Sequence, residues 1–103
     1  MGFSGTWHIY EMEMWDEDYF NMEVQAYIKI GPDNREEFQF GFVSGDIDGR
    51  IVRERFEFTW EGNDECDPAS GSCWLKLKDK DLPEGEIRIY LGDKSRFAAR
   101  RTK

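Results

Sequence analysis

A two-residue alternation of apolar and polar side chains limits the folds open to this chain more than any other feature. In NMEVQAYIKI, residues 21–30, every second side chain from Met22 to Ile30 is apolar, and polar or amphipathic side chains stand between them. Successive side chains of a β-strand point to opposite faces, whereas a helical stripe repeats about every 3.6 residues. The segment therefore predicts an antiparallel strand with one face on a core and the other in water.

The same alternation recurs between clusters of turn-forming residues, and no segment of useful length has helical periodicity. Three phenylalanines share one face of EEFQFGFVSG, and three aromatic residues share one face of RIVRERFEFTW. Runs of this kind, bounded by Gly, Pro, Asn and Asp, are typical of strands and hairpins. The pattern predicts seven strands, at about residues 3–14, 20–30, 36–46, 50–61, 72–79, 86–92 and 95–101.

The apolar side chains of two paired strands must point to the same side of the sheet, and this requirement limits the position and length of the loop between them. A three-residue loop at 47–49 sets Phe40 opposite Phe56 and keeps both aromatic rows on one face. A two-residue turn at Asp48–Gly49 would separate the rows, whereas a loop at 48–50 also keeps them together. We therefore prefer the loop at 47–49 and leave the loop at 48–50 open.

Three further connections follow from composition and facing. A loop at 31–35 sets Ile28 opposite Phe38, and a loop at 92–94 joins the last two strands. GNDECDPASG, residues 62–71, is rich in turn-forming residues and predicts the one long irregular connection.

Length and strand order together predict the architecture. The 103 residues suffice for a single domain, residues 1–103, and the aromatic content of 16% predicts a small core filled by large rings. Sequential antiparallel strands form an up-and-down meander, and closing it into a small barrel removes the exposed edges. The sequence therefore predicts an all-β barrel, with a two-sheet sandwich as the alternative.

The charge and the absence of special segments limit partners and location. A net charge of −8 argues against nucleic acid and anionic membrane as partners, since both attract basic faces. No apolar run has transmembrane length and no signal peptide is recognisable, which predicts a cytoplasmic protein. We expect it to be a monomer or a weak homo-oligomer. That location favours free thiols for Cys66 and Cys73, although their spacing permits a disulfide.

The opening segment SGTWHIYEMEMW, residues 4–15, leaves two arrangements open. In the first, the even face points inward and carries His8, Tyr10 and Met12, while Trp7 and Ile9 point outward. In the second, a β-bulge switches the inward face partway along the strand.

The stretch SGTWHI, followed by an up-and-down meander, resembles the calycin barrels, which are the lipocalins, fatty-acid-binding proteins and avidins. Gly5 and Trp7 match the Gly-x-Trp of their first strand. The resemblance implies a small apolar ligand inside the barrel. It also implies that a basic residue late in the chain packs against the tryptophan, with Arg96 and Arg100 as the candidates.

Candidate ligand-binding residues come from the predicted inner face and the barrel mouth. Polar groups there would orient a ligand and the aromatic rows would enclose it, although such rows are also typical of a plain core. The candidates are His8, Tyr10, Met12, Phe40, Phe42, Phe56, Phe58, Trp60 and Trp74.

Metal and catalytic signals are sparse. Carboxylates in a turn supply oxygen ligands for a hard cation, but the acidic turn at 64–67 does not have the EF-hand spacing. Its candidate ligands are Asp64, Glu65 and Asp67. A single histidine without an identifiable partner gives no triad, so the sequence predicts no catalytic residue and no cofactor, and favours binding over catalysis.

Two functional hypotheses follow. The first is a binding module for a small apolar or aromatic ligand held in the barrel. The second is a protein-interaction or self-associating domain that uses an unsealed strand edge or outward tryptophans, with Trp7, Trp15 and Trp74 as candidates.

Overall fold

A computed structural model of the chain describes residues 3–79 and 82–102. They form, in chain order, β1 (Gly5–Met12), α1 (Glu17–Phe20), β2 (Tyr27–Ile30), β3 (Arg35–Phe40), β4 (Val43–Val52), β5 (Arg55–Asp64), β6 (Asp67–Asp79), β7 (Leu82–Ile89) and β8 (Lys94–Arg101). Each strand pairs antiparallel with the next, and β8 pairs with β1. The predicted all-β meander and barrel are confirmed, and the sandwich is excluded because the first and last strands are hydrogen-bonded neighbours.

The barrel has eight strands rather than seven because the predicted strand 36–46 contains a turn. The chain reverses at Gly41–Phe42, where Gly41 has a φ of 56°. β4 then runs through the segments 47–49 and 48–50 that the sequence favours as loops. Both predicted loop positions are therefore wrong.

The expected pairing of Phe40 with Phe56 is also wrong, although both rings point into the barrel. Phe40 lies opposite Val43, and Phe56 lies opposite Ile51. Gly49 explains the misleading turn signal, because a Cβ there would lie 2.5 Å from Cζ of Phe56. This glycine makes room for an aromatic ring inside a strand.

Residues 62–71 form two strand ends instead of a long loop. β5 and β6 stay paired until Asp64 faces Asp67, and only Glu65 and Cys66 turn the chain. Glu65 has a φ of 62°, and positive φ values are typical of two-residue hairpin turns. Both cysteines are free: Cys66 is exposed in this turn and Cys73 is buried in β6.

The predicted strand 20–30 begins only at Tyr27. α1, with Asp16 as its N-cap, ends at Phe20, and residues 21–26 form a turn and an irregular segment before the strand. The side chain of Asn21 then accepts a hydrogen bond from the backbone of Ala26 at 2.8 Å, a local bond that competes with strand pairing. Met22 and Val24 are consequently exposed rather than buried.

A bulge resolves the facing of β1. Trp7 and Ile9 are buried, the register against β8 shifts between Ile9 and Glu11, and Met12 is buried on the same inner face. Tyr10 is 40% exposed on the outside. The second of the two arrangements is therefore confirmed, because the extra residue reverses the alternation.

In the remaining hairpins, most of the side chains that the sequence predicts to point inward do so, but the residues that pair across the strands are not always the predicted ones. Ile28 lies opposite Phe38, as predicted. The turn between β7 and β8 occupies 90–93 instead of 92–94, and it is closed by the bond from the backbone N–H of Ile89 to the carbonyl of Asp93. No helix in the described part of the chain is long and apolar enough to cross a membrane.

Candidate functional site

Five of the predicted ligand-binding residues form the barrel core. Their side chains are buried: Met12, Phe40, Phe56, Phe58 and Trp60. The ring centroids of Phe56 and Phe58 are 5.9 Å apart, and those of Phe38 and Trp60 are 5.0 Å apart. An eight-stranded barrel is just wide enough to be filled by its own side chains. The aromatic rows therefore pack on one another as a core.

Three further candidates lie on the outer face. His8 is half-buried between inward-facing neighbours on β1. Tyr10 packs under the guanidinium of Arg100, whose Cζ is 4.6 Å from the ring centroid. Trp74 packs in the same way under Arg55, at 4.3 Å. The structure therefore does not bring these polar groups to the interior aromatic residues.

Phe42 belongs to an aromatic cluster at the β3–β4 turn. Its ring centroid lies 6.4 Å from that of Tyr19 on α1, and Trp15 lies 5.0 Å from Phe40. Burial raises the pKa of Tyr19, and the nearby carboxylates of Asp64 and Glu65 add to the rise, opposed by a backbone hydrogen bond from Phe42. Trp15, expected to point outward, thus helps to cover this end of the barrel.

The tryptophan of the Gly-x-Trp motif has a basic partner. Cζ of Arg101 lies 4.1 Å from the ring centroid of Trp7, and its Nη1 donates a 2.7 Å hydrogen bond to the carbonyl of Ser4. Arg101 is the direct register partner of Trp7 on β8. The prediction that Arg96 or Arg100 packs against Trp7 is therefore wrong. The partner is Arg101, because the pairing of β1 with β8 places it opposite the ring.

A large surface depression lies on the outside of the barrel. It is a groove of about 960 Å³ across β4, β5, β6 and the end of β7. Small outward side chains, Thr59, Ser70 and Ser72, line its centre, and the long side chains of Arg88 and Tyr90 border it on the β7 side. We call it the outer groove and define it by its outward residues and the adjoining turn: Arg35, Asp46, Asp48, Thr59, Glu61, Ser70, Ser72, Arg88, Tyr90 and Leu91.

A second depression of about 610 Å³ continues the outer groove along the same strands. The two share Asp48, Thr59, Ser72 and Arg88, and the second adds the ring of Trp74. The outer face of β4–β7 is therefore one extended concave surface.

The interior holds the β7 side of the groove in place. Trp60 Nε1 donates a 3.2 Å hydrogen bond to the carbonyl of Arg88 across Gly71. A Cβ at Gly71 would lie 1.9 Å from that carbonyl oxygen, so only glycine permits this approach. A buried aromatic residue thus positions the backbone that carries Arg88 and the adjoining turn.

An acidic row lies at the β4 side of the groove. Glu37, Asp46 and Glu61 are direct register partners on three adjacent strands, and all three are exposed. Like charges opposite one another in a sheet are destabilising. Within the described chain, no lysine or arginine nitrogen lies within 4 Å of the carboxylates of Asp46 or Glu61, whereas Asp48 pairs with Arg35 at 3.6 Å.

An exposed apolar turn lies at the β7 side. Tyr90 is 72% exposed and Leu91 is 91% exposed. The backbone N–H of Tyr90 donates a 2.7 Å hydrogen bond to the carbonyl of Ser70, which fixes the turn against β6. Leu91 adopts a φ of 61°, a conformation uncommon for residues other than glycine and asparagine.

The candidate metal ligands Asp64, Glu65 and Asp67 are exposed at the tip of the β5–β6 hairpin. Among the residues the structure describes, no three His, Cys, Asp or Glu side chains are grouped closely enough to hold a metal ion. The hairpin tip and the acidic row are therefore separate features, and neither has the geometry of a cation cage.

Sequence reasoning missed the outer groove because it missed β4. The alternation along β5 already places Thr59 and Glu61 outward, and this was the available signal. VSGDIDGRIV has glycines at the inward positions 45 and 49, where an amphipathic strand would have apolar residues. Without β4 as a strand, Asp46 has no predictable neighbour.

Comparison with known proteins adds no further information. No family model, no curated protein sequence and no solved structure matches the chain. The candidate function therefore rests on the geometry of the outer groove and the packing of the barrel.

Proposed function

We propose that this protein is a protein-interaction module that binds an extended, positively charged segment of a partner protein in the outer groove. The observation that carries the proposal is the combination, in one concave surface, of two carboxylates of the acidic row, Asp46 and Glu61, with the exposed Tyr90–Leu91 turn. Exposed apolar side chains beside a groove are typical of interaction sites.

Charge complementarity selects the partner. The chain has a net charge of −8, and Asp46 and Glu61 lie side by side in the groove. The two arginines of the groove already have acidic partners, since Arg35 pairs with Asp48 and Arg88 with Glu86. A lysine or arginine placed between Asp46 and Glu61 would relieve their repulsion, and the field of the whole chain would speed the encounter. Acidic polypeptides and nucleic acids would meet the opposite effect.

The shape of the site also favours a polypeptide. The hydroxyl groups of Thr59, Ser70 and Ser72 line the centre of the groove and offer donors and acceptors to an extended backbone. The open, elongated outline accommodates a chain segment better than a small molecule, which is usually held in a deep and mostly apolar pocket.

A small apolar ligand inside a calycin-like barrel is the second candidate. The stack of Arg101 on Trp7 in a closed barrel supports it. The close packing of the interior rings speaks against it, since a ligand would have to displace side chains such as Phe56 and Phe58.

Panning a phage-displayed library of random dodecapeptides on the immobilised full chain tests the proposal. We expect enriched peptides to carry a net positive charge and to lose binding to a Ser72→Arg variant, because the long cationic side chain fills the groove floor. Met22→Arg is the matched control, since it places the same side chain on an exposed position outside the groove.

Three outcomes would contradict the proposal. The first is a lack of enrichment over a blank surface, and the second is equal binding to the Ser72→Arg variant. The third is stoichiometric uptake of a fluorescent fatty-acid analogue that Ser72→Arg leaves unchanged, which would favour the interior ligand. Sedimentation of the chain alone at several concentrations separates self-association from binding to a partner.

A further inference from the structure

We infer that the outer groove recognises two anchors on its partner, a cationic residue and an apolar residue about four positions apart in an extended segment. This inference rests on the proposed function and specifies the partner of that same site. It follows from where the strand register places the two ends of the groove.

The cationic anchor fits at the β4–β5 end. Asp46 and Glu61 are opposite each other in the register and point to the same outer face. A guanidinium presents several donors in a fixed plane and can therefore bond both carboxylates at once. Arginine suits this position better than lysine for that reason.

The apolar anchor fits at the β7 end. Leu91 is almost fully exposed, and a glycine that would suit its positive φ more readily stands next to it as Gly92. Leu91 therefore has an unfavourable backbone conformation, and its side chain makes almost no packing contact within the folded chain. Contact with an apolar side chain of the partner would use this surface, together with the neighbouring ring of Tyr90.

The spacing between the anchors follows from the sheet. Asp46 is in register with Glu61, Glu61 with Ser70, and the carbonyl of Ser70 accepts the hydrogen bond from Tyr90. Neighbouring strands lie about 4.8 Å apart, so these three steps span about 14 Å. An extended segment advances about 3.4 Å per residue, and about four residues therefore bridge the two ends.

Three peptide libraries test the spacing. Each fixes one Arg and one Leu, in both orders, at a separation of two, four or six residues and randomises the other positions. Panned on the full chain, the library with a separation of four should be enriched about tenfold over the others, because burial of one leucine contributes at least that factor in affinity. Equal enrichment of all three, still lost in Ser72→Arg, would overturn the spacing and leave the proposed function standing. No enrichment of any library would remove both.

Two variants test the anchors separately. Leu91→Gly should abolish the preference for Leu over Ser in the peptide while leaving the melting temperature unchanged or raised, because glycine accepts the positive φ. Asp46→Asn combined with Glu61→Gln should abolish the preference for Arg over Gln. Met22→Ser, which removes an exposed apolar side chain elsewhere, should change neither preference. Retained preferences in both anchor variants would overturn the inference.

Discussion

The inner and outer faces of β5 belong to the same ten residues and have opposite properties. Phe56, Phe58 and Trp60 point inward and are buried, whereas Glu57 and Thr59 point outward and line the two depressions. Phe58 and Trp60 pack on the ring of Phe38 from β3, and Phe56 packs on Phe3 and Phe58. Thr59 is exposed, and Glu57 forms a partly exposed ion pair with Arg55, so we expect these outer residues to contribute little to stability.

The difference shows how one strand separates folding from binding. Burial of aromatic surface provides most of the free energy that stabilises a small barrel. The outer face is then free to carry repelling carboxylates and an exposed leucine, both unfavourable for the isolated chain. Substitutions that act on one face should therefore leave the properties of the other unchanged, except at Trp60, whose indole N–H bonds the backbone of the groove.

The largest effect is expected from deleting an inner ring. Phe56→Ala should lower the free energy of unfolding by about 3–5 kcal/mol, through lost burial and the cavity that remains. Glu57→Gln, one position along and on the outer face, should cost about 1 kcal/mol or less, because its ion pair with Arg55 is partly exposed. Urea titrations of both variants measure the difference, and Phe56→Leu serves if the alanine variant does not fold. Similar losses of unfolding free energy in the two variants would contradict the view that the inner face of β5 provides most of the stability.

The exposed Cys66 and the buried Cys73 should differ in reactivity towards thiol reagents, in line with the difference between the outer and inner faces. Cys66 is exposed, whereas burial raises the pKa of Cys73 and the nearby carboxylate of Glu86 raises it further. In native buffer Cys66 should react with a disulfide reagent at least about a hundredfold faster, since Cys73 reacts only when β6 opens. Cys66→Ser and Cys73→Ser isolate each thiol. Equal rates in the two variants would mean that the inner face of β6 opens readily to solvent.

The smallest effect concerns an outer-face pair at alkaline pH. Burial, and then the carboxylate of Glu37, raise the pKa of Tyr27 to about 12, and its hydroxyl donates a 2.8 Å hydrogen bond to that carboxylate. The folded-state pKa lies above the value of about 10 in the unfolded chain. This stabilising contribution is therefore complete below about pH 10 and is lost as the pH rises towards 12. The stability gap between the wild type and Tyr27→Phe should narrow over that range in pH-dependent urea titrations, and a widening gap would contradict the assignment.

The alternation of side chains by itself determined the fold class and most of the core. The rows at 38–40 and 56–60 point inward as their two-residue period requires, and Ile28 lies opposite Phe38. These features are local, because a strand with one apolar face buries that face whatever its neighbours are. The closed meander follows from many short strands that succeed one another along the chain.

Only the tertiary structure decided where the chain turns and which residues of neighbouring strands lie side by side. Gly49 looks like a turn residue in the sequence, but it makes room for Phe56 within β4. Turns fall instead at positions such as Glu65, where a positive φ is imposed by the pairing of the flanking strands. The outer groove depends on four strands meeting in one register, and residues as distant as Asp46 and Leu91 share it only in the folded barrel. The alternation specifies which side chains of a strand point inward, whereas the groove depends on the register of several strands relative to one another.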